Sequence, residues 1–298
     1  MHSYSCADKD QYWALLNSHP FSSRYRFLCH LAEIHRKQTS FTIPGMCEVC
    51  NLPVDFLTDH QHGMRSEHGF PWPNWRERQV CPHCGLASRQ RMAFGFMQDA
   101  VARRALSQEF TLYMMEMVTP IFGCARQQLS GITLIGSEYL GPWIQGGSVI
   151  RGVRHEDVCQ LSLADESVDL VVSNDVMEHV PDPRAGFGEI FRVLRRGGIL
   201  FLTIPFHSGN ETTVVRAEVH AGKVVHHLPA AYHGNPVSPE GSLVDADFGW
   251  DVLSMLRAAG FAKVEVKVIW SYLYGHLGIP MEYFCAAKPL ILFAFKRL

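Results

Sequence analysis

The stretch VDLVVSNDVMEHVPDPRAGFGEIFRVLRRGGILFLTIPF, residues 168–206, decides the fold. It opens with an apolar run, VDLVVSND (168–175), closed by Asn174 and Asp175, which is the form of a strand buried on both faces. Pro183 then starts a segment with Phe187, Ile190, Phe191 and Leu194 on one face, Arg195 and Arg196 in the last turn and Gly197-Gly198 after it, which predicts a helix. ILFLTIPF (199–206) follows as another strand. Strand, helix, strand implies parallel neighbours, and ligands of such sheets lie beyond the carboxyl ends of the strands.

The flanks extend the pattern. ITLIG (132–136) reads as an earlier buried strand ending at Gly136 and turning through GSEYLGP (136–142). Downstream, a helix over 250–259 (Trp250, Val252, Leu253, Leu256) stops at Gly260, KVEVKVIW (263–270) alternates as a strand, and a last apolar run covers 290–296. The forty-odd residues between, 207–249, have no repeating pattern and far exceed an ordinary connection, the length of a lid or binding element. Within them VVRAEVHAGKVVHHL predicts a hairpin around Ala221-Gly222.

Toward the amino end, 10–37 predicts two short helices broken near Pro20, and 87–105 a further helix with Met92, Phe96 and Val101. Residues 110–128 are apolar without a clear period. From Phe41 to about Gly85 the composition shifts to Pro, Gly, His, Asp and Cys, as in a loop-rich module held by metal rather than by a core. The expected organisation is a helical segment (1–40), a metal module (41–86), linking helices (87–130) and an α/β domain (131–298) with 207–249 as its insert.

With 47% hydrophobic and 19% charged residues the chain has material for a core, which excludes wholesale disorder. Its 27 Lys+Arg against 29 Asp+Glu give a formal charge of −2, so no global positive field favours nucleic acid. No run of 18 or more apolar residues predicts a membrane span, and MHSYSCADKDQYW lacks the order of a secretory signal, so a cytoplasmic protein with reduced thiols is expected.

Four of the nine Cys form two tight pairs, Cys47/Cys50 in CEVC and Cys81/Cys84 in CPHC. Four thiolates in two such turns suit tetrahedral Zn²⁺, and they close its coordination shell, so the ion is expected to be structural. His60, His62, His68 and His83 are spare donors nearby.

From His155 the chain resembles the S-adenosylmethionine-dependent methyltransferases of the class I, type 11 kind. The likeness rests on Asp157-Val158, the strand VDLVVSND, the pair Glu178-His179, RVLRRGG and the following strand with its Pro-Phe. It covers about 131–270 and implies a Rossmann-like sheet with a closing antiparallel pair, 263–270 and 290–296. It implies further that S-adenosylmethionine binds near Gly136, Ser137, Glu138, Tyr139, Asp157, Val158, Asn174 and Asp175. On this reading Gly136 gives backbone approach, Asp157 accepts from the adenine amino group, and Asn174 and Asp175 meet the reacting centre. The sequence departs from the family in its first motif: Leu134 stands where an acidic residue is usual, and GSEYLG replaces a Gly-rich loop. Only twenty residues separate Gly136 from Glu156, too few for the usual helix and second strand, so the ribose carboxylate stays open between Glu138, the first candidate, and Glu156 in reserve.

No Asn-Pro-Pro-Tyr-like sequence follows strand 168–173, which favours an oxygen or carbon acceptor over a planar nitrogen. His179, His207 and His233 are the candidate bases. The expected acceptor is a small polar metabolite, a sugar or glycoconjugate first. Two other readings stay open: an RNA methyltransferase with a zinc finger, and a catalytically inactive methyltransferase-like binding subunit.

Overall fold

The computed structural model describes residues 3–66, 69–103, 109–220, 223–278 and 281–289. The chain divides into two compact units. Unit one is Met1–Arg103, Cys124–Leu129 and Val266–Glu282; unit two is Arg104–Gly123, Ser130–Glu265 and Tyr283–Leu298.

Unit two is built on Val168–Asn174, buried along its whole length as the apolar run requires. Parallel to it run Leu194–Thr203 on one side and Thr111–Met114 on the other, and Thr133–Gly136 pairs parallel with Thr111–Met114. Glu282–Ala287 pairs antiparallel with Leu194–Thr203 through residues 284–287. The result is the α/β, Rossmann-like mixed sheet expected, with two corrections to its order.

The first concerns ITLIG. Thr133–Gly136 is a rim strand, exposed at Thr133 and half-buried at Leu134 and Ile135. The place beside Val168–Asn174 belongs to Thr111–Met114, whose Leu112, Tyr113 and Met114 are buried. Unit two's part of the sheet therefore begins ahead of residue 131, inside the segment read as linking helices, and GSEYLGP follows the second strand of that unit. The second correction concerns the closing pair: its antiparallel member is Glu282–Ala287, and the run 290–296 lies outside the described residues.

Helix Pro183–Val193 forms as expected. Asp182 caps it by accepting from Ala185 N at 3.1 Å, and Phe187, Ile190 and Val193 are buried. It stops earlier than predicted. Arg195 and Arg196 lie beyond it because Arg195 Nη1 pairs at 2.5 Å with Asp169 Oδ2, whose side chain is 3% exposed. A buried carboxylate needs a cation, and Arg195 reaches it from extended backbone.

The insert 207–249 is ordered as three two-stranded ladders. Val214–Val215 pairs with Ala246–Asp247, Ala217–His220 with Lys223–His226, and Tyr232–Asn235 with Ser238–Leu243. The second is the expected hairpin; its turn residues Ala221 and Gly222 lie outside the described residues. Helix Val252–Ala258 and strand Lys263–Ile269 fall where predicted.

In unit one, helices Lys9–Leu16 and His19–His35 are joined at Asn17 and Ser18, and Pro20 sits in the first turn of the second helix, where a missing N–H costs nothing. Ser3–Cys6 pairs antiparallel with residues 266–269. The segment read as a metal module is more regular than its composition implies: Ser40–Cys47 and Leu52–Asp59, eight residues each, form a hairpin with Phe41, Ile43, Val54 and Phe56 buried. Pro44 and Gly45 mask its alternation in the sequence. Helix Ser88–Ala102 follows. Among the described residues no helix is long and apolar enough to cross a membrane.

Candidate functional site

The two Cys turns meet within unit one. Cys47 ends the first hairpin strand and Cys50 lies in its turn, where Asn51 takes a φ of 55°. Val80 exchanges backbone hydrogen bonds with Leu57 (2.8 and 2.9 Å), which lays the second turn, Cys81–Cys84, beside the hairpin. Cys47 Sγ stands 3.9 Å from Cys84 Sγ, Cys50 Sγ stands 3.8 Å from Cys81 Sγ, and all four sulfurs lie within 4.8 Å of one another. A tetrahedron with Zn–S bonds of about 2.3 Å has edges of about 3.8 Å, so the set fits zinc. The Cys84 thiol, against the effect of burial, holds Cys47 down at about 5, while burial and the Cys47 charge push Cys50 up to about 12. Four sulfurs so crowded ionise together only around a cation. His60, His62 and His83 are not in the cluster, and His68 lies outside the described residues.

Sequence reasoning missed what surrounds these thiols. Arg91 is fully buried, with its guanidinium carbon 4.1 Å from the centre of the Phe56 ring. It donates to the carbonyls of Gln79 (2.9 Å), Leu86 (2.9 Å) and Gly275 (3.0 Å). Burial lowers its pKa, and the charges of Cys47, Glu48, Cys81 and Cys84 oppose that shift. His276, also fully buried, bridges Ser88 Oγ (3.0 Å) and Glu48 Oε1 (2.9 Å).

In unit two the predicted donor residues divide. Gly136 is closely packed: a Cβ there would stand 2.3 Å from Phe122 Cε2, so the missing side chain makes room for that ring. Ser137 is 3% exposed and shares a 2.7 Å hydrogen bond with the Tyr113 hydroxyl, whose pKa burial raises. Glu138 stands at the carboxyl end of Thr133–Gly136, and its Oε1 accepts from Met117 N (2.7 Å) and Val118 N (3.0 Å) in the loop after Thr111–Met114. Tyr139 is 53% exposed, its ring 5.5 Å from that of His155. Asp157 makes a local turn, Oδ1 accepting from Cys159 N at 2.9 Å, and Val158 is half-buried beside it. The reserve carboxylate Glu156 is used up by Arg154 (Nε at 2.8 Å) and Ser162 (Oγ at 2.6 Å, N at 2.8 Å).

At the end of Val168–Asn174, Asn174 Nδ2 donates to Glu116 Oε1 at 2.6 Å, while its buried Oδ1 has no hydrogen-bond partner. Asp175 adopts a φ of 51° and accepts from Thr203 Oγ1 at 2.8 Å. The short turn Met177–His179 comes next. His179 Nδ1 bonds the Leu243 carbonyl at 2.6 Å, and Asp245 N donates to the Glu178 carbonyl at 2.7 Å, so the insert is tied down over this turn. His233, from the insert, stands with its ring 5.0 Å from that of His179. His207 is elsewhere: half-exposed, it lies 3.8 Å from Asp247 Oδ1. Two of the three candidate bases are thus brought together, and Glu178 joins them.

Residues 137–202 match the family model described as a methyltransferase domain. The chain is 41% identical over 122 residues to a protein of Mycolicibacterium smegmatis described as a probable S-adenosylmethionine-dependent methyltransferase. The match takes in 39% of this chain and 42% of that relative, so the chain spans less than half the length of the relative it matches. Solved structures similar to the chain include an S-adenosylmethionine-dependent methyltransferase from Mesorhizobium loti (TM-score 0.40, 15% identity, 64% of this chain and 96% of that one). Another, from Methanosarcina mazei, has a TM-score of 0.39 and 17% identity over 66% of this chain and 98% of that one. Residues 137–202 thus resemble a methyltransferase domain, and they lie within an α/β, Rossmann-like mixed sheet.

Proposed function

We propose that the protein is an S-adenosylmethionine-dependent methyltransferase acting on an oxygen or carbon of a small polar acceptor, a sugar or glycoconjugate first. The observation that carries this reading is Glu138. Within the stretch that matches the methyltransferase domain, it holds a carboxylate at the carboxyl end of a parallel strand, fixed through Oε1 by two backbone N–H groups.

The residues present fit the donor in part. Glu138 Oε2 is the oxygen assigned to the ribose hydroxyls, and Tyr139 and Val158 offer apolar surface for adenine, with Asp157 to accept from its amino group. Asn174 Oδ1, buried without a partner, accepts from the amino-acid end, and Asp175 stands beside it at the reacting centre. Gly136 does not serve, since Phe122 fills the space it leaves.

A sulfonium donor gives up its methyl group by in-line displacement, so the chain's work is alignment, exclusion of water and removal of the acceptor's proton. The insert 207–249 covers the acceptor, and His179 and His233 face it. His207 has no place in this step. Unit one holds a structural Zn²⁺ on Cys47, Cys50, Cys81 and Cys84, a role supported by the sulfur spacing.

Calorimetry with S-adenosylhomocysteine tests the donor site. Wild-type protein is expected to bind, and Glu138→Gln to bind roughly tenfold more weakly or worse, the loss of a charge-assisted pair of hydrogen bonds. No heat and no thermal stabilisation would favour the inactive binding subunit. RNA affinity with a steep salt dependence would favour the nucleic-acid reading.

A further inference from the structure

Glu178, His179 and His233 make a constellation that base catalysis does not explain. The Glu178 side chain is 0% exposed, and neither of its carboxylate oxygens has a hydrogen-bond partner. A carboxylate removed from water without compensation is costly, by several kcal/mol in general, and proteins keep one only where a cation or proton completes it. The two imidazoles turn toward it without bonding it. His179 Nε2 lies 3.7 Å and His233 Nδ1 3.5 Å from Glu178 Oε1, beyond hydrogen-bond length, and the three ligand atoms fall within 4.8 Å of one another.

These separations suit ligands of one ion. Bonds of about 2.0–2.2 Å from a tetrahedral metal put neighbouring ligand atoms about 3.3–3.6 Å apart. The protonation of His179 fits as well. Its Nδ1 faces the Leu243 carbonyl at 2.6 Å, and a carbonyl only accepts, so Nδ1 carries the hydrogen and Nε2, on the Glu178 side, is the nitrogen that a neutral ring would offer to an ion. An imidazole fixed by a carbonyl on its far nitrogen is the usual outer support of a metal ligand. The site also has a route in, since the His233 side chain is 43% exposed.

We infer that Glu178, His179 and His233 form a second metal site, for a single divalent first-row transition ion, with a position left open for an acceptor hydroxyl. Two imidazoles and one carboxylate favour ions of the zinc, iron or cobalt class over magnesium or calcium, and three protein ligands mark a reactive rather than a structural centre. The binding stands on geometry alone; what the ion does rests on the methyltransferase reading. A hydroxyl held in the open position loses its proton to solvent more readily. Its oxygen then forms the O–CH₃ bond as the S–CH₃ bond breaks, and the donor leaves as a neutral thioether. His179 and His233 are then ligands instead of bases, and oxygen is favoured over carbon as the acceptor atom.

The test is a Co²⁺ titration of chelator-washed, full-length protein, followed by visible absorption and equilibrium dialysis. The four-Cys set gives sulfur-to-cobalt charge-transfer absorption; the nitrogen–oxygen set is expected as additional weak bands without it, and one further ion per chain. His233→Ala and Glu178→Gln should each weaken that additional binding roughly tenfold or more and leave the sulfur-bound ion in place. His233 is exposed enough that its variant keeps the wild-type melting temperature. Only sulfur-type binding in the wild type, or additional binding that survives both substitutions, overturns the inference. S-adenosylhomocysteine calorimetry on the same preparation separates the two readings: donor binding without the additional ion sinks the metal site, and the additional ion without donor binding sinks the methyltransferase reading.

Discussion

Gly136→Ala should destabilise unit two by packing. The added Cβ would meet Phe122 Cε2 at 2.3 Å, Cζ at 2.7 Å and Cδ2 at 3.0 Å, whereas ordinary contact starts at 3.4 Å. The ring edge must therefore retreat by about 1 Å inside a close-packed interior, and overpacking of that kind costs about 1–3 kcal/mol. A cost of about 2 kcal/mol lowers the melting temperature by about 4–8 °C in a unit of this size. Phe122→Leu removes the ring edge, so in that background Gly136→Ala should cost less than about 0.5 kcal/mol, a coupling of about 1–2 kcal/mol in a double-mutant cycle. Urea unfolding of the four proteins, each at matched slope, measures it. If Gly136→Ala leaves stability unchanged but abolishes S-adenosylhomocysteine binding, or if the two substitutions add, Gly136 serves the ligand and the packing argument is refuted.

Elemental analysis of chelator-washed protein should find one sulfur-bound zinc per chain, and none after Cys47→Ser with Cys81→Ser; zinc retained by the double variant would disprove the assignment. Burial pushes the Glu282 carboxyl up to about 7 from 4.5, against the 2.7 Å hydrogen bond that the Tyr12 hydroxyl donates to it. The native state then holds an extra proton between these values, so stability falls as pH rises through that window and levels off above it, by up to about 3 kcal/mol. Comparing urea midpoints near pH 5 and pH 8, the drop should shrink in Glu282→Gln by that amount; an equal drop in both proteins would refute it.

The elements read correctly from the sequence are those whose signal is local. Val168–Asn174 is an unbroken apolar run, and Pro183–Val193 has its cap, its period and its proline within a dozen residues. Thr111–Met114 was illegible because a four-residue strand in a run of apolar and Met residues has no period of its own, and only its neighbours on both sides define it. The hairpin that carries Cys47 and Cys50 hid behind Pro44 and Gly45. At the site, the four Cys were legible by spacing. The meeting of His179 with His233 was not, since it depends on the insert folding back over the turn that holds Glu178. Arg195 was misplaced because its partner, Asp169, lies in another strand.

The hydrogen bonds of Arg91 bear on the order in which the chain is completed at the ribosome. The guanidinium is buried among carbonyls, one of which, on Gly275, lies 184 residues later in the chain. Glu48 and Ser88 likewise wait for His276. At about 5–20 residues per second, synthesis leaves these groups without those partners for roughly 10–40 seconds. Most of unit one emerges ahead of unit two, yet it cannot finish until Val266–Glu282 is out. Its CEVC and CPHC turns, by contrast, are complete once residue 84 is out. On the proposed zinc reading, an ion captured there would hold the hairpin and the second turn together through the wait, and zinc supply during translation, more than zinc content afterwards, would then set the yield of folded chain.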